Sequence, residues 1–110
     1  MVSGDYKPQA DRTSEPFELV PCDGFVSECT FGLPVYRWKP EEDIHTQINE
    51  WWKKNKITGH GSLIFAYSLG KAQRVLAGLD SSIGSIYAHS AVHSFLAHYQ
   101  NAGIDLPEVK

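Results

Sequence analysis

The sequence predicts an α/β fold in which helices cover a parallel sheet, and three observations carry that prediction. From residue 40 onward, helical and extended patterns alternate in the order α-β-α-β-α. Residues 62–67 form a nearly continuous apolar run between two helical patterns, as a strand buried on both faces requires. The 110 residues are 42% apolar and 12% aromatic with 21% charged, a composition that can bury a core and does not read as disordered.

Residues 1–16 are polar and contain Gly4, Pro8 and Pro16, so they read as a strand end followed by a loop. Residues 17–20 and 24–29 read as two short strands joined through Pro21, Cys22 and Asp23. Gly32 and Pro34 then punctuate a turn-rich exit. The first helix starts near Pro40, where a missing N–H costs nothing, and Glu41, Glu42 and Asp43 favour the positive end of its dipole. Ile44, Ile48, Trp51 and Trp52 recur at helical spacing as its apolar face, with Gly59 as the stop. After the run at 62–67, Ser68 or Gly70 opens a second helix whose stripe is Ala72, Val75, Leu76 and Leu79. Residues 83–89 give another strand. Ser90 then caps a third helix with Val92, Phe95, Leu96 and Tyr99, ended by Gly103. The two intervening helices can supply right-handed crossovers between parallel strands.

The formal net charge is −3, so there is no overall basic excess of the kind that marks free-standing nucleic-acid binders. Local basic groups remain around Arg37 and Lys39, Lys53 to Lys56, and Lys71 and Arg74; such groups are also ordinary solvated surface. Cys22 and Cys29 lack the short spacing of zinc or redox motifs. Together with a polar start and no long apolar segment, they predict a cytoplasmic protein with free thiols and no membrane association.

Four groups of residues can carry chemistry. Asp5 follows Gly4 near a predicted strand end, where a carboxylate can bind or bridge cations; the same pattern also serves simple turns. Glu28 ends a predicted strand, a usual place for functional groups in parallel sheets; the same position also suits a simple exposed strand-end glutamate. Ser68, Lys71 and Gln73 lie in a strand-to-helix turn around Gly70 that could attract phosphate and is equally well explained as ordinary helix capping. It is no Walker loop, because Phe65 stands where the first glycine belongs and Ala72 where Ser or Thr belongs. His89, His93 and His98 lack the glutamate of a zinc-protease helix and read as structural or surface residues, while His45 and His60 read as helix-face and loop residues. Neither Cys22 nor Cys29 is marked as activated, and no Gly-x-Ser-x-Gly elbow is present.

The order Ser3-Gly4-Asp5-Tyr6-Lys7, Pro21-Cys22-Asp23 and Glu28-Cys29-Thr30-Phe31-Gly32-Leu33-Pro34 resembles the DNA ligase-associated exonucleases. That family is also labelled an mRNA 3′-end processing factor, in the β-CASP branch of the metallo-β-lactamase fold. Phe65-Ala66-Tyr67-Ser68-Leu69-Gly70-Lys71-Ala72-Gln73-Arg74, His89-Ser90-Ala91-Val92 and the stretch from Tyr99 to Pro107 are similar to the same family. The resemblance implies partial metallo-β-lactamase strands over 1–33, then the front of a β-CASP-like parallel sheet with covering helices over 34–110. It implies a two-zinc hydrolase that cuts phosphodiester bonds at DNA or RNA ends, with DNA ligase as a functional associate. In it, Asp5 matches the metal-bridging aspartate, Glu28 the acidic residue of the first β-CASP motif, and Ser68 to Gln73 a turn lining the nucleic-acid cleft.

The family's His-x-His-x-Asp-His motif does not occur within residues 1–110. One bridging carboxylate cannot hold two zinc ions, since catalytic zinc takes three protein ligands. The expectation is therefore a nuclease fragment that is inactive and zinc-free alone. Two other readings stand beside it. One is a non-catalytic α/β interaction module that self-associates through exposed apolar surface, with Trp38, Trp51 and Trp52 as candidates. The other is a small phosphate-binding module using Gly70 and Lys71.

Overall fold

The computed structural model describes every residue from Met1 to Lys110. Three helices form: α1 (Glu41–Ile57), α2 (Lys71–Leu76) and α3 (Ser90–Asn101). Pro40 stands at the entrance of α1, acidic side chains fill its first turn, and Lys54 and Lys56 fill its last. Gly59 follows at φ 75°, a backbone angle open to glycine. α2 stops at Leu76 rather than running on to Leu79, because the N–H groups of Gly78 and Leu79 turn back to Val75 and Leu76. α3 is capped by His89 and not by Ser90: the His89 Nδ1 accepts from the Ala91 N–H at 3.1 Å. Gly103, at φ 83°, takes the chain out of it.

The predicted parallel sheet does not form. Backbone pairing between extended segments is limited to two isolated parallel bridges, Val2 with Val26 and Ile86 with Val109. This overturns the α/β assignment, including the partial metallo-β-lactamase strands and the β-CASP-like sheet. The reason lies in the ladder rather than in the local pattern. Residues 63–66 run without helical or turn structure, yet none of their backbone N–H or C=O groups meets a backbone partner. An apolar run promises a strand only if neighbours flank it, and here none does. Leu63 and Phe65 consequently stand 73% and 89% exposed. The predicted strands at 17–20 and 24–29 are likewise reduced to the single bridge at Val26.

The core is small and lies in the C-terminal half. Leu76 of α2, Ile86, Leu96 of α3 and Leu106 are buried together, with Trp52, Leu79, Val92 and Tyr99 packed around them. No residue before Glu41 is buried. The radius of gyration is 16.5 Å, against roughly 13 Å for a compact domain of this length.

The side of α1 that turns inward is not the predicted apolar face. Ile44 and Trp51 are each 40% exposed, whereas His45 is buried. The inward stripe is His45, Asn49, Trp52 and Lys56, at helical spacing, and it docks on residues 77–84. His45 occupies the space that a side chain at Gly78 would need. Asn49 donates from Nδ2 to the Gly78 carbonyl at 2.9 Å and accepts the Asp80 N–H on Oδ1 at 3.0 Å. The Trp52 ring comes within 3.4 Å of where a Cβ at Gly84 would sit, and Lys56 Nζ donates to the Ile83 carbonyl. Backbone groups of a loop must be satisfied somewhere, and α1 supplies the partners.

Asn49→Ala removes the partner of the Gly78 carbonyl and of the Asp80 N–H, so it should cost about 1 kcal/mol, as for the net loss of an ordinary intramolecular hydrogen bond. Gly78→Ala should also destabilise, by forcing His45 out of its seat. Urea denaturation followed by circular dichroism checks both; unchanged midpoints would remove the docking role assigned to this stripe.

Candidate functional site

Asp5 and Glu28 come together. The bridge between Val2 and Val26 runs parallel, fixed by Ser3 N–H to the Val26 carbonyl at 2.9 Å and Val26 N–H to the Met1 carbonyl at 3.0 Å. A parallel register carries both segments in the same direction, so Asp5 and Glu28 emerge at the same end. Ser27 reinforces this by donating to the Gly4 carbonyl at 3.3 Å. Both carboxyls are on the exposed surface.

Glu28 is held in place locally. The Thr30 N–H donates to its Oε2 at 2.6 Å. The Thr30 hydroxyl and that N–H hold the Glu28 carboxyl below the ordinary range against slight desolvation, with a further contribution from the Asp5 side chain within hydrogen-bonding reach. Glu28 is thus an oriented anion beside a second carboxyl. Cys29 and Cys22 are free and exposed nearby in sequence.

The two carboxyls do not amount to a metal centre. Nowhere in the chain do three or more His, Cys, Asp or Glu side chains converge in a way that could hold an ion. The donor set beside Asp5 contains Glu28 and no third ligand, fewer than the three protein ligands that a catalytic zinc takes. His93 and His98 are exposed on α3, remote in sequence from Asp5, and His89 is occupied as a cap.

The turn at 68–73 is built differently from an open anion cradle. Gly70 enters α2 at φ 83°. The first two N–H groups of the helix are already taken: Lys71 donates to the Leu69 carbonyl and Ala72 to the Tyr67 carbonyl. Gln73 is fully buried, and its Nε2 donates to the Ser68 carbonyl at 3.0 Å, so it ties the turn together from inside. Ser68 is half-buried, and exposed Lys71 lies over the Tyr67 ring, its Nζ 5.4 Å from the centroid.

Two features escaped the sequence reading. The first is a salt-bridge tether. Lys7 Nζ lies 3.1 Å from both Asp11 Oδ2 and Glu41 Oε2, and Arg12 donates to the Ala77 carbonyl at 3.2 Å. These contacts bind the segment bearing Asp5 to α1 and to the end of α2. Desolvation would raise the Asp11 carboxyl, but the Thr13 N–H, Lys7 and the Thr13 hydroxyl outweigh it and hold it at about 2. The second is an apolar cleft of about 590 Å³ between residues 62–66, residues 85–89 and the helices, with Trp51, Leu63, Phe65, Val75 and Tyr87 among its walls. It arises because the two extended segments face each other without pairing, a tertiary outcome that no local pattern encodes.

Comparison with known proteins adds one relation. The chain is similar to a "Probable DNA ligase" of Opitutus terrae (strain DSM 11246 / JCM 15787 / PB90-1), at 28% identity over 107 residues. That alignment takes in 97% of this chain and 10% of the relative, so the chain spans about a tenth of the relative's length. No family model matches the chain, and no solved structure matches it. No helix is long and apolar enough to cross a membrane.

The tether has a pH signature. The folded value near 2 lies below the ordinary 3.8, so the Asp11 contribution is complete above about pH 4 and disappears as pH falls through 2. Asp11→Asn should lower stability at pH 7 and flatten the loss between pH 4 and 2. Denaturation midpoints at pH 7, 4 and 2.5 test this, and parallel acid profiles for the two proteins would contradict it.

Proposed function

We propose that this chain acts on nucleic acid as one part of a larger DNA-processing assembly, contributing the Asp5–Glu28 carboxylate pair. The observation that carries the reading is the parallel pairing at Val2 and Val26, which brings together the two acidic residues singled out from sequence. The similarity of nearly the whole chain to a probable DNA ligase supports a DNA-related role. In the finer form of the proposal, the assembly is a metal-dependent exonuclease acting on DNA or RNA ends. Asp5 would then supply one carboxylate ligand to a metal, and the turn of Ser68, Lys71 and Gln73 would face the nucleic acid through exposed Lys71, with buried Gln73 bracing it from inside. In that form of the proposal, DNA ligase is the functional associate.

A second reading rests on a separate observation. Exposed apolar surface, including Trp38 at 73% and the cleft lined by Phe65 and Tyr87, favours an interaction module that docks on another polypeptide or on a second copy.

Two measurements test the first reading. The purified chain, offered end-labelled DNA and RNA with zinc or manganese, should show no cleavage above background, and metal-dependent cleavage would refute its inactivity alone. Fluorescence anisotropy with labelled DNA should show binding that weakens as salt rises. Absence of any binding at low salt would sink the DNA-related role, and concentration-dependent sedimentation without binding would favour the second reading.

A further inference from the structure

Between Glu28 and Glu41 the chain contains no acidic residue, yet it carries Phe31, Tyr36, Arg37, Trp38 and Lys39. All of these are exposed. The three aromatic rings form one cluster. Phe31 meets Tyr36 edge-on at 5.2 Å between centroids and 85°, and meets Trp38 at 5.4 Å and 83°. Tyr36 and Trp38 lie nearly parallel, at 13° and 6.4 Å. Phe31 is therefore perpendicular to a pair of parallel plates and braces both.

Local backbone restraints hold this arrangement ready. Pro34 and Pro40 bias the residues before them toward extended geometry. The Tyr36 N–H closes a turn on the Leu33 carbonyl at 3.0 Å. Phe31 lies within a turn that the Gly32 N–H closes on the Cys29 carbonyl, and the Cys29 thiol fills the place a side chain at position 32 would need. Alternation along an extended stretch sets Tyr36 and Trp38 to one side and Arg37 and Lys39 to the other. Neither cation takes part in any of the salt bridges, which all involve Lys7 or Arg74.

From this geometry we infer that Phe31, Tyr36 and Trp38 form a base-stacking platform for single-stranded nucleic acid, with Arg37 and Lys39 as its phosphate contacts. The inference rests on the nucleic-acid role proposed above and specifies which form of nucleic acid is bound and where. The ring faces suit bases, because every base offers a π face and stacking tolerates any sequence. Two cations outside the salt bridges, on a stretch with no acidic residue between Glu28 and Glu41, suit a strand of phosphates better than they suit an apolar protein surface. The braced rings also spare much of the ordering cost that a flexible aromatic would pay on binding.

The test titrates the full chain with an oligothymidine and reads tryptophan fluorescence together with anisotropy of a labelled strand. Binding should quench the fluorescence, and Trp38→Ala should weaken it by about tenfold or more and remove most of the quench. Arg37→Ala should lower the salt slope by about 0.7, as for one lost phosphate contact on a single strand. Phe31→Leu serves as a second variant, since it loosens the brace while leaving the exposed Trp38 in place; it should weaken binding less than Trp38→Ala does. Equal affinity of Trp38→Ala and the parent for single strands overturns the platform and leaves a DNA role standing. Binding of duplex alone does the same. No binding of either form overturns both. Loss of self-association in Trp38→Ala with unchanged strand binding assigns the cluster to a second copy instead.

Discussion

The fold depends on one helix that meets a loop through polar groups. α1 seats His45, Asn49, Trp52 and Lys56 against residues 77–84 and thereby satisfies the Gly78 carbonyl, the Asp80 N–H and the Ile83 carbonyl. That loop connects α2 to the segment containing Ile83 and Ile86, both buried. Fixing it therefore fixes the spacing between α2 and the rest of the core. The same helix begins with Glu41, which receives Lys7, so its placement also decides where the N-terminal segment lies. A hydrophobic seam in the same place would tolerate sliding, whereas paired donors and acceptors set one register.

This explains both what was legible in the sequence and what was not. Helix ends were readable, because Pro40, the acidic run after it, Gly59 and Gly103 act through local sterics and dipoles that do not depend on the rest of the chain. The buried face of α1 was not readable, since a count of apolar residues favours Ile44 and Trp51, and nothing local announces that Asn49 will meet a carbonyl 29 residues away. The same limit applies to the cap of α3. Ser90 is the better cap by residue type, but the His89 ring nitrogen reaches the Ala91 N–H first. The proximity of Asp5 and Glu28 was anticipated only as two separate strand ends, and the parallel bridge that unites them is a long-range fact.

The failure of the predicted sheet has a definite physical content. Residues 62–67 have the composition of a central strand, and the chain gives them no strand to lie between. Leu63, Phe65 and Tyr67 then remain in water, at a cost of about 25 cal/mol for each Å² of apolar surface not buried. The rest of the chain does not compensate. The core is confined to residues after α1, and the molecule is extended rather than compact, at 56 × 35 × 20 Å. Hydrophobic burial supplies less stability in such a shape than in a closed domain.

The division between scaffold and candidate site follows from that distribution. Everything buried belongs to α1 or lies beyond it, whereas the carboxylate pair and the aromatic cluster lie before Glu41 on segments without a core of their own. Those segments are positioned by a few specific contacts: the bridge at Val26, the Thr30 grip on Glu28, and Lys7 and Arg12 reaching to α1 and Ala77. A site built this way can present its carboxyls and rings fully to a ligand, since no packing demand competes for them. It also keeps the parts in sequence order, with Phe31 only three residues after Glu28, so a strand stacked on the rings lies on the same short stretch of chain as the oriented carboxylate. The aromatic cluster and the oriented carboxylate thus share one exposed stretch of chain, and Lys7 and Arg12 tie the neighbouring N-terminal segment to α1 and the end of α2.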